Sequence, residues 1–250
     1  MKVSIITATY NSEKTIGDCL QSVLSQDYQD IEYIIIDGAS SDGTLPKVEA
    51  AQTQNKNIIC ISEPDKGIYD ALNKGIQKAT GDIIGFLHSD DYFNSTQTIS
   101  HIVAAFQNSN VDGVYGDLHY ISSESDTIVR NWKSKPFSEK LLKEGWMPAH
   151  PTLFLKQNVY KKHGQFNLKF KIAADYDLML RIFKDKDLTF LYLPEVVTKM
   201  RVGGASNRSL KNIWLKTRED YMAVKGNNIG SPALVVCSKN LSKIPQWFKK

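Results

Sequence analysis

Residues 31–44 read IEYIIIDGASSDGT, and this stretch decides the fold class of the 250-residue chain. Its isoleucine-rich start lacks the alternation of a half-exposed strand, which favours a strand buried on both faces of a parallel sheet. The loop after it is rich in Asp, Gly and Ser, the residues that form turns and helix starts. The stretch therefore predicts a buried strand, a polar loop and the start of a helix.

The same unit recurs through the first hundred residues. Further apolar runs lie at 3–6, 58–61 and 83–87, and segments with helical spacing lie at 15–24, 45–52 and 68–79. Strands that alternate with helices predict an α/β fold with a doubly wound, mostly parallel sheet. We expect a helix at 96–106, a strand at 111–115 and an antiparallel hairpin formed by 118–121 and 127–130 to follow.

The composition is that of a packed globular protein, with 42% hydrophobic and 23% charged residues, which excludes collagen-like, disordered and coiled-coil chains. The net charge of +4 is too small for a dedicated nucleic-acid binder. The three cysteines form no CxxC pair, so they give no zinc or redox motif. Because there is no signal-peptide pattern and no apolar run of about 18 residues, we expect a cytoplasmic protein.

Acidic residues follow two of the apolar runs at the point where each strand should end. Asp37 follows the run at 31–36, and Asp90 and Asp91 follow the run at 83–87. Ligands of open α/β sheets bind outside the carboxyl ends of the strands. Two adjacent carboxylates repel each other, and a hard divalent cation such as Mg²⁺ or Mn²⁺ relieves that repulsion. The structural alternatives are a turn role for Asp37 and Asp42 and a solvated surface loop for the aspartate pair.

Several segments resemble family 2 glycosyltransferases in their order and spacing. They are VSIITATYN at 3–11, IDGASSDGT at 36–44, NKGI at 73–76, GD at 81–82, SDD at 89–91 and ADYDLMLR at 174–181. The match covers roughly residues 1–205, and the segments SEPDKGIYD at 62–70 and GGAS at 203–206 are similar to bacterial members that build surface polysaccharides. The resemblance implies a GT-A fold, a nucleotide-diphosphate-sugar donor, a divalent metal ion and inversion at the anomeric carbon.

The resemblance also implies roles for individual residues. Asp91 corresponds to the metal ligand, for Mn²⁺ or Mg²⁺, and Asp37 to the carboxylate that holds the nucleobase. Asp90 would lie near the ribose, and Asp70 lies in a segment that borders the nucleotide in relatives. The implied nucleotide-sugar site consists of Ala8, Tyr10, Asp37, Asp70 and Asp90.

Asp175 is the candidate catalytic base. Inverting transfer needs a group that takes the proton from the attacking acceptor hydroxyl, and Asp175 opens a segment of helical spacing in the second half of the chain. Relatives usually carry Glu-Asp at this point, whereas this chain has Ala174-Asp175, so one carboxylate is missing. Asp177 is a lower-ranked alternative, since two residues along a helix it points to a different face. The structural alternative for Asp175 is a helix N-cap.

Three further side chains have open roles. His150, within MPAHP at 147–151, is a candidate contact to the donor diphosphate or the acceptor, or else a structural histidine. Arg201 and Arg208 flank Gly203-Gly204 and are candidates to neutralise the diphosphate in a loop that closes over the donor. Solvated surface arginines are the alternative.

We therefore expect residues 1–110 to form the nucleotide-binding half, residues 111–230 the mixed acceptor-side half of the same domain, and residues 231–250 a basic amphipathic helical tail. The tail fits either a peripheral contact with an anionic membrane at its inner face or a helix packed on the core. The implied activity is an inverting, metal-dependent sugar transfer to a hydroxyl of a lipid-linked glycan in bacterial surface polysaccharide synthesis. The processive signature QxxRW is absent, which favours adding one sugar per acceptor.

Two alternatives remain. A sugar-nucleotide nucleotidyltransferase shares the fold but usually needs a glycine- and lysine/arginine-rich signature after the first strand, where this chain has TATYN at 7–11. A catalytically silent scaffold that binds nucleotide or glycan is disfavoured by the joint presence of Asp37, Asp90, Asp91 and Asp175.

Overall fold

The computed structural model describes residues 1–203 and 210–241. Strands and helices alternate in the first part of the chain, as the sequence predicts. They are β1 (Val3–Thr9), α1 (Ile16–Leu24), β2 (Ile31–Asp37), α2 (Thr44–Gln54), β3 (Ile58–Ser62), α3 (Ile68–Lys78) and β4 (Ile83–Phe86). The four strands and the three helices predicted for this part are confirmed. The predicted burial of the third strand on both faces is wrong, because β3 lies at the edge of the sheet and Ile59 is 40% exposed.

The remaining elements form a mixed region and a helical end. They are β5 (Tyr92–Phe93), α4 (Thr98–Asn108), β6 (Gly113–Ile121), β7 (Ile128–Trp132), α5 (Glu139–Lys143), a 3-10 turn (His150–Thr152), β8 (Leu153–Lys156), α6 (Gln157–His163), α7 (Ala174–Phe183), β9 (Phe190–Arg201), α8 (Leu210–Asn227) and α9 (Pro232–Leu241). The hairpin is confirmed as β6 and β7, which pair antiparallel. The predicted strand at 111–115 and the first arm of the hairpin are one continuous strand, β6.

The described strands form one sheet in the order β3-β2-β1-β4-β8-β6-β9-β5, with β7 paired to β6. Strands β1 to β4 are mutually parallel where they pair, whereas β8 runs antiparallel to β4 and β6. The register pairs Thr9 with Asp37, so β1 and β2 end at the same edge. Pairing of Tyr92 with Lys199 then brings the loop after β4 beside the end of β9.

Both faces of the sheet are covered, which explains the unbroken apolar runs. Ile34 and Ile36 pack on one side with α3, α6 and α7, while Tyr33 and Ile35 pack on the other side with α1, α2 and α4. A strand buried on both faces needs apolar residues at successive positions.

The described part of the C-terminal tail packs on the core. Val235 and Val236 of α9 are buried, and Lys239 is 3% exposed in an ion pair with Asp220, Nζ to Oδ1 2.8 Å. Lys239 also lies over the ring of Tyr176. Residues 242–250, which carry the aromatic end of the predicted tail, lie outside the described residues. Among the residues that the structure describes, the helices are too short or too polar to span a lipid bilayer.

Candidate active site

The carboxyl ends of β1, β2 and β4 meet at one edge of the sheet. The parallel register aligns Thr9 with Asp37, and the Leu87 N–H donates to the Ile6 carbonyl at 3.0 Å. The Ser12 and Ser89 hydroxyls, which follow β1 and β4, are 2.9 Å apart. The loops that carry the predicted nucleotide and metal residues are therefore neighbours.

Asp37 is fully buried and accepts hydrogen bonds from Ser40 of the following loop and from Ser62 at the end of β3. Its Oδ2 accepts hydrogen bonds from the Ser40 N–H at 2.9 Å and the Ser62 hydroxyl at 2.7 Å, and its Oδ1 accepts one from the Ser40 hydroxyl at 2.5 Å. The chain itself thus supplies the partners that a buried carboxylate requires. These bonds fix the start of the β2–α2 loop at the sheet edge.

An exposed aromatic ring lies beside this loop. Tyr10 is 63% exposed, whereas Ala8 is buried in β1. A Cβ added to Gly38 would lie 2.6 Å from Asp65 Oδ2 and 3.3 Å from the Tyr10 ring, so both side chains flank the bare backbone of this glycine. A side chain at this position would clash with Asp65, so the close approach of these groups requires glycine.

Two other aspartates of the sheet edge have structural partners. The Oδ1 of Asp42 accepts hydrogen bonds from the N–H and hydroxyl of Thr44, which opens α2, and this bonding lowers its pKa. Asp70 lies in the first turn of α3, where its Oδ2 accepts the Lys66 N–H at 3.0 Å and lies 3.9 Å from Lys74 Nζ. The turn role of Asp42 is confirmed, and the nucleotide role of Asp70 stays a prediction.

Asp91 presents a buried oxygen that lacks a partner among the described residues. The side chain is 0% exposed, Oδ1 accepts the Arg201 N–H at 3.2 Å, and Oδ2 has no hydrogen-bond partner. Burial and the neighbouring Asp90 charge raise the pKa of Asp91 well above its usual value. An orphaned buried carboxylate oxygen is a feature that a bound cation would explain.

The donor set fits a divalent cation that shares its ligands with a substrate. In the described ranges 1–203 and 210–241, no three His, Cys, Asp or Glu side chains group into a ready-made metal site. Mg²⁺ is often bound by one or two carboxylates, with water and substrate phosphates completing its shell. Asp91 Oδ2 meets that requirement as the protein ligand.

Arg201 braces the Asp90-Asp91 loop. Its Nη1 donates to the Asp90 carbonyl at 3.1 Å, and its Nη2 lies 2.5 Å from Asp18 Oδ2. The guanidinium is therefore hydrogen-bonded within the protein, and its role in neutralising a diphosphate stays a prediction. Arg208 and residues 204–206, named in the same prediction, lie outside the described residues.

Asp175 lies in the first turn of α7, with its carboxylate between two aromatic groups. Its Oδ1 is 3.3 Å from the Tyr69 hydroxyl, and its Oδ2 is 3.5 Å from His150 Nδ1. The side chains of Asp175 and His150 are each 20% exposed. The N-cap of α7 is Ala173, so Asp175 is not the helix cap of the structural alternative.

His150 contacts a second histidine, His88, which carries no functional signal in the sequence. His150 Nε2 and His88 Nε2 are 2.7 Å apart, so one nitrogen must donate and the other accept. Burial and the adjacent His88 lower the pKa of His150 to about 4, against the opposing charge of Asp175. Burial also lowers the pKa of His88. Both rings are neutral at neutral pH, and a neutral pair can share one hydrogen bond.

Asp177 has a different environment from Asp175. It is buried, its Oδ2 accepts the Arg181 Nε–H at 3.1 Å, and its Oδ1 accepts the Asn227 amide at 3.0 Å. The side chain ties α7 to the end of α8. This bonding gives Asp177 a structural role rather than that of a free base.

A cavity of about 630 Å³ opens beside Asp175 and His150. One wall is aromatic, with the Tyr120 and Trp132 rings stacked at 6.3 Å and the Arg130 guanidinium 5.0 Å from the Tyr120 centroid. Arg201, Ile213, Lys216, Asp220 and Lys239 also line the cavity. It has the size of a pocket for a small ligand.

The loop after β4 is linked to Asp175 through two rings. His88 Nε2 lies 2.7 Å from His150 Nε2, and His150 Nδ1 lies 3.5 Å from Asp175 Oδ2. Arg201 gives a second link, since its N–H donates to Asp91 Oδ1 and its side chain lines the cavity beside Asp175.

Comparisons with known proteins identify the family. Residues 4–187 match the sequence profile of Glycosyl transferase family 2. A PGL/p-HBAD biosynthesis glycosyltransferase of Mycobacterium bovis (strain BCG / Pasteur 1173P2) is 30% identical over 216 residues, which cover 85% of this chain and 82% of the relative.

Solved structures share the fold. S. aureus TarS 1-349 superposes with a TM-score of 0.74 at 19% identity, covering 98% of this chain and 72% of that one. This chain spans 40% of the longer TarS chain. The mannosyltransferase PcManGT from Pyrobaculum calidifontis, in complex with GDP-Man and Mn²⁺, gives a TM-score of 0.68 at 18% identity, covering 98% of this chain and 70% of that one. The chain therefore has the GT-A fold, belongs to glycosyl transferase family 2 and is a glycosyltransferase.

Proposed function

We propose that the protein transfers a sugar, with inversion, from a nucleotide-diphosphate-sugar to a hydroxyl of a lipid-linked glycan in surface polysaccharide or glycolipid synthesis. The observation that carries this proposal is the position of Asp175, which lines the 630 Å³ cavity together with Arg201, whose N–H donates to Asp91 Oδ1. The relative's role in PGL/p-HBAD biosynthesis and the UDP-GlcNAc complex of TarS support a glycolipid or polysaccharide product and a nucleotide-sugar donor.

The donor would bind along the sheet edge. The exposed Tyr10 ring would stack on the nucleobase near Ala8 and Asp37, and Asp90 would lie toward the ribose. Asp91 Oδ2 would hold a divalent cation, Mn²⁺ or Mg²⁺, which supplies charge neutralisation for the departing diphosphate when bound. The Mn²⁺ complex of PcManGT supports this assignment. Asp70 would border the nucleotide from the start of α3.

The acceptor would bind in the cavity. A sugar ring can pack its apolar face on the Tyr120–Trp132 wall while its hydroxyl points toward Asp175. Asp175 then takes the proton of that hydroxyl as the oxygen attacks the anomeric carbon. His150 Nδ1 lies 3.5 Å from Asp175 Oδ2, and a proton on this nitrogen would orient the carboxylate. The tautomer follows if His88 Nε2 donates to His150 Nε2. Because the acceptor is lipid-linked, the protein would act at the inner face of the cytoplasmic membrane.

A panel of nucleotide sugars tests the donor and the metal together. We expect one of UDP-, GDP- or dTDP-sugars to raise the melting temperature, and to raise it further with Mn²⁺ or Mg²⁺, because a ligand of the native state stabilises it. The matching donor should release its nucleoside diphosphate when acceptor is added. Binding without any turnover across acceptors would support a silent scaffold, and release of pyrophosphate from a nucleoside triphosphate would support the nucleotidyltransferase.

His150 variants test how Asp175 is positioned. His150→Phe removes the N–H that faces Asp175 Oδ2, and we expect kcat to fall about tenfold, the cost of roughly one hydrogen bond to a charged group, with the donor KM unchanged. His150→Asn can return an N–H near the Nδ1 position, so it should recover most of the rate. Equal losses in both variants, or a rise in donor KM alone, would contradict a positioning role.

A further inference from the structure

The outer face of α8 carries aromatic and basic side chains at helical spacing. Trp214, Tyr221 and Met222 are 64%, 43% and 48% exposed, and Arg218 and Lys225 are exposed between and beyond them. Residues three and four apart lie on one face of a helix, so the five side chains form one stripe. We refer to these five residues as the α8 stripe. The Arg218 guanidinium lies 5.7 Å from the Trp214 ring centroid.

The acidic residues of α8 point away from this stripe. Glu219 is 5% exposed and accepts the backbone N–H groups of Lys171, Ile172 and Ala173, and Asp220 is 2% exposed and paired with Lys239. Among the described side chains of α8, every exposed charge is therefore positive. An exposed face that carries aromatic rings and only positive charges is complementary to a surface that has both an apolar layer and negative charges.

The stripe adjoins the proposed acceptor cavity. Ile213, Lys216 and Asp220, on the neighbouring side of the same helix, line the cavity that holds Asp175, and Ile213 is still 48% exposed. A surface bound along the stripe would consequently lie next to a wall of the cavity. A lipid could stay in that surface while the sugar that it carries reaches Asp175 in the cavity.

We propose that the α8 stripe docks the protein on an anionic lipid bilayer, and this inference takes its lipid-linked acceptor from the proposed function. The rings of Trp214 and Tyr221 sit at the headgroup level, where aromatic side chains with a polar edge are favoured. Arg218 and Lys225 lie against the negative lipid headgroups. The stripe, rather than the C-terminal residues 242–250, supplies most of the binding.

Vesicle co-sedimentation of the full chain tests this docking without donor or acceptor, so its outcome is separate from that of the transfer assay. We expect binding to phosphatidylcholine vesicles that contain phosphatidylglycerol, weaker binding at high salt, and little binding to phosphatidylcholine alone. Arg218→Glu with Lys225→Glu should lower the partition coefficient about 30-fold or more, since each cation contributes roughly fivefold and the new carboxylates add repulsion. Trp214→Ser with Tyr221→Ser should also lower it.

The control reverses two exposed lysines of the nucleotide-binding half, Lys56→Glu and Lys78→Glu, which change the net charge equally and should leave binding unaltered. A nucleotide-sugar thermal shift on each variant confirms the fold. Three outcomes would overturn the proposal: no binding of the unaltered chain to anionic vesicles, unchanged binding of the Arg218/Lys225 variant, or loss of binding only when Trp247 and Phe248 are changed to serine. A dimer that dissociates on changing Trp214 and Tyr221, with no vesicle binding, would instead assign the stripe to a second copy.

Discussion

Asp175→Asn is expected to lower kcat for sugar transfer by about 100- to 10,000-fold, the range that a positioned general base contributes. An amide at this position still faces Tyr69 and His150, but it cannot take the proton of the acceptor hydroxyl. The proposed donor site lies at the sheet edge, so the donor KM and the donor-induced thermal shift should persist. The measurement is nucleoside diphosphate release with and without acceptor.

Asp177→Asn is the matched control, two residues along the same helix. Asp177 is buried between Arg181 and Asn227, so its change should lower the melting temperature while the folded enzyme keeps its kcat. The two variants separate chemistry from stability. If Asp177→Asn abolished transfer by the folded protein while Asp175→Asn retained it, the base would be Asp177 and the present assignment would be wrong.

Asp91→Asn is expected to abolish the metal-dependent part of donor binding and to lower kcat by about 1,000-fold, since a bound cation contributes several kcal/mol to charge stabilisation. The variant keeps an oxygen that can accept the Arg201 N–H but loses the anionic Oδ2 that has no partner among the described residues. In the unaltered protein, Mn²⁺ with the matching donor should raise the melting temperature. In the variant, Mn²⁺ should add nothing to the shift given by the donor.

Asp42→Asn is the control for this variant. Asp42 is also a sheet-edge aspartate, but its carboxylate accepts hydrogen bonds from the Glu13 N–H and from the N–H and hydroxyl of Thr44. The control variant should retain the full response to Mn²⁺ and lose a little stability at the start of α2. Titrating EDTA into the unaltered protein with donor should reproduce the Asp91→Asn melting curve. A donor shift that is insensitive to both EDTA and Asp91→Asn would exclude the cation site.

The fold of the first half was predictable because its signals are local. Burial on both faces requires successive apolar residues, so the run at 31–36 marks β2 whatever lies around it. The fold of the second half was harder to predict from the sequence. β9 reads FLYLPEVVTKMR, with a proline and charges inside the strand, and only its pairing with β6 and β5 explains its length. The residue pattern alone therefore predicts no strand at this point of the chain.

The sequence by itself determined which residue types stand at the strand ends, and hence the aspartates of the sheet edge and of α7. Only the tertiary structure decided which of them are already engaged. Asp37, Asp42 and Asp177 are held by neighbouring groups, whereas Asp91 keeps an orphaned oxygen in the described part of the chain. Hydrogen-bond satisfaction is a property of packed groups, and the pattern of one segment does not contain it.

The histidine pair and the Arg201 brace show the same limit. His88 and His150 are 62 residues apart, and Arg201 meets Asp18 across 183 residues, yet their nitrogen and oxygen atoms lie within hydrogen-bond distance. Hydrophobic periodicity reports which face of an element is buried but not which distant side chain shares that face. Such contacts arise only when the sheet order and the helix packing bring the elements together.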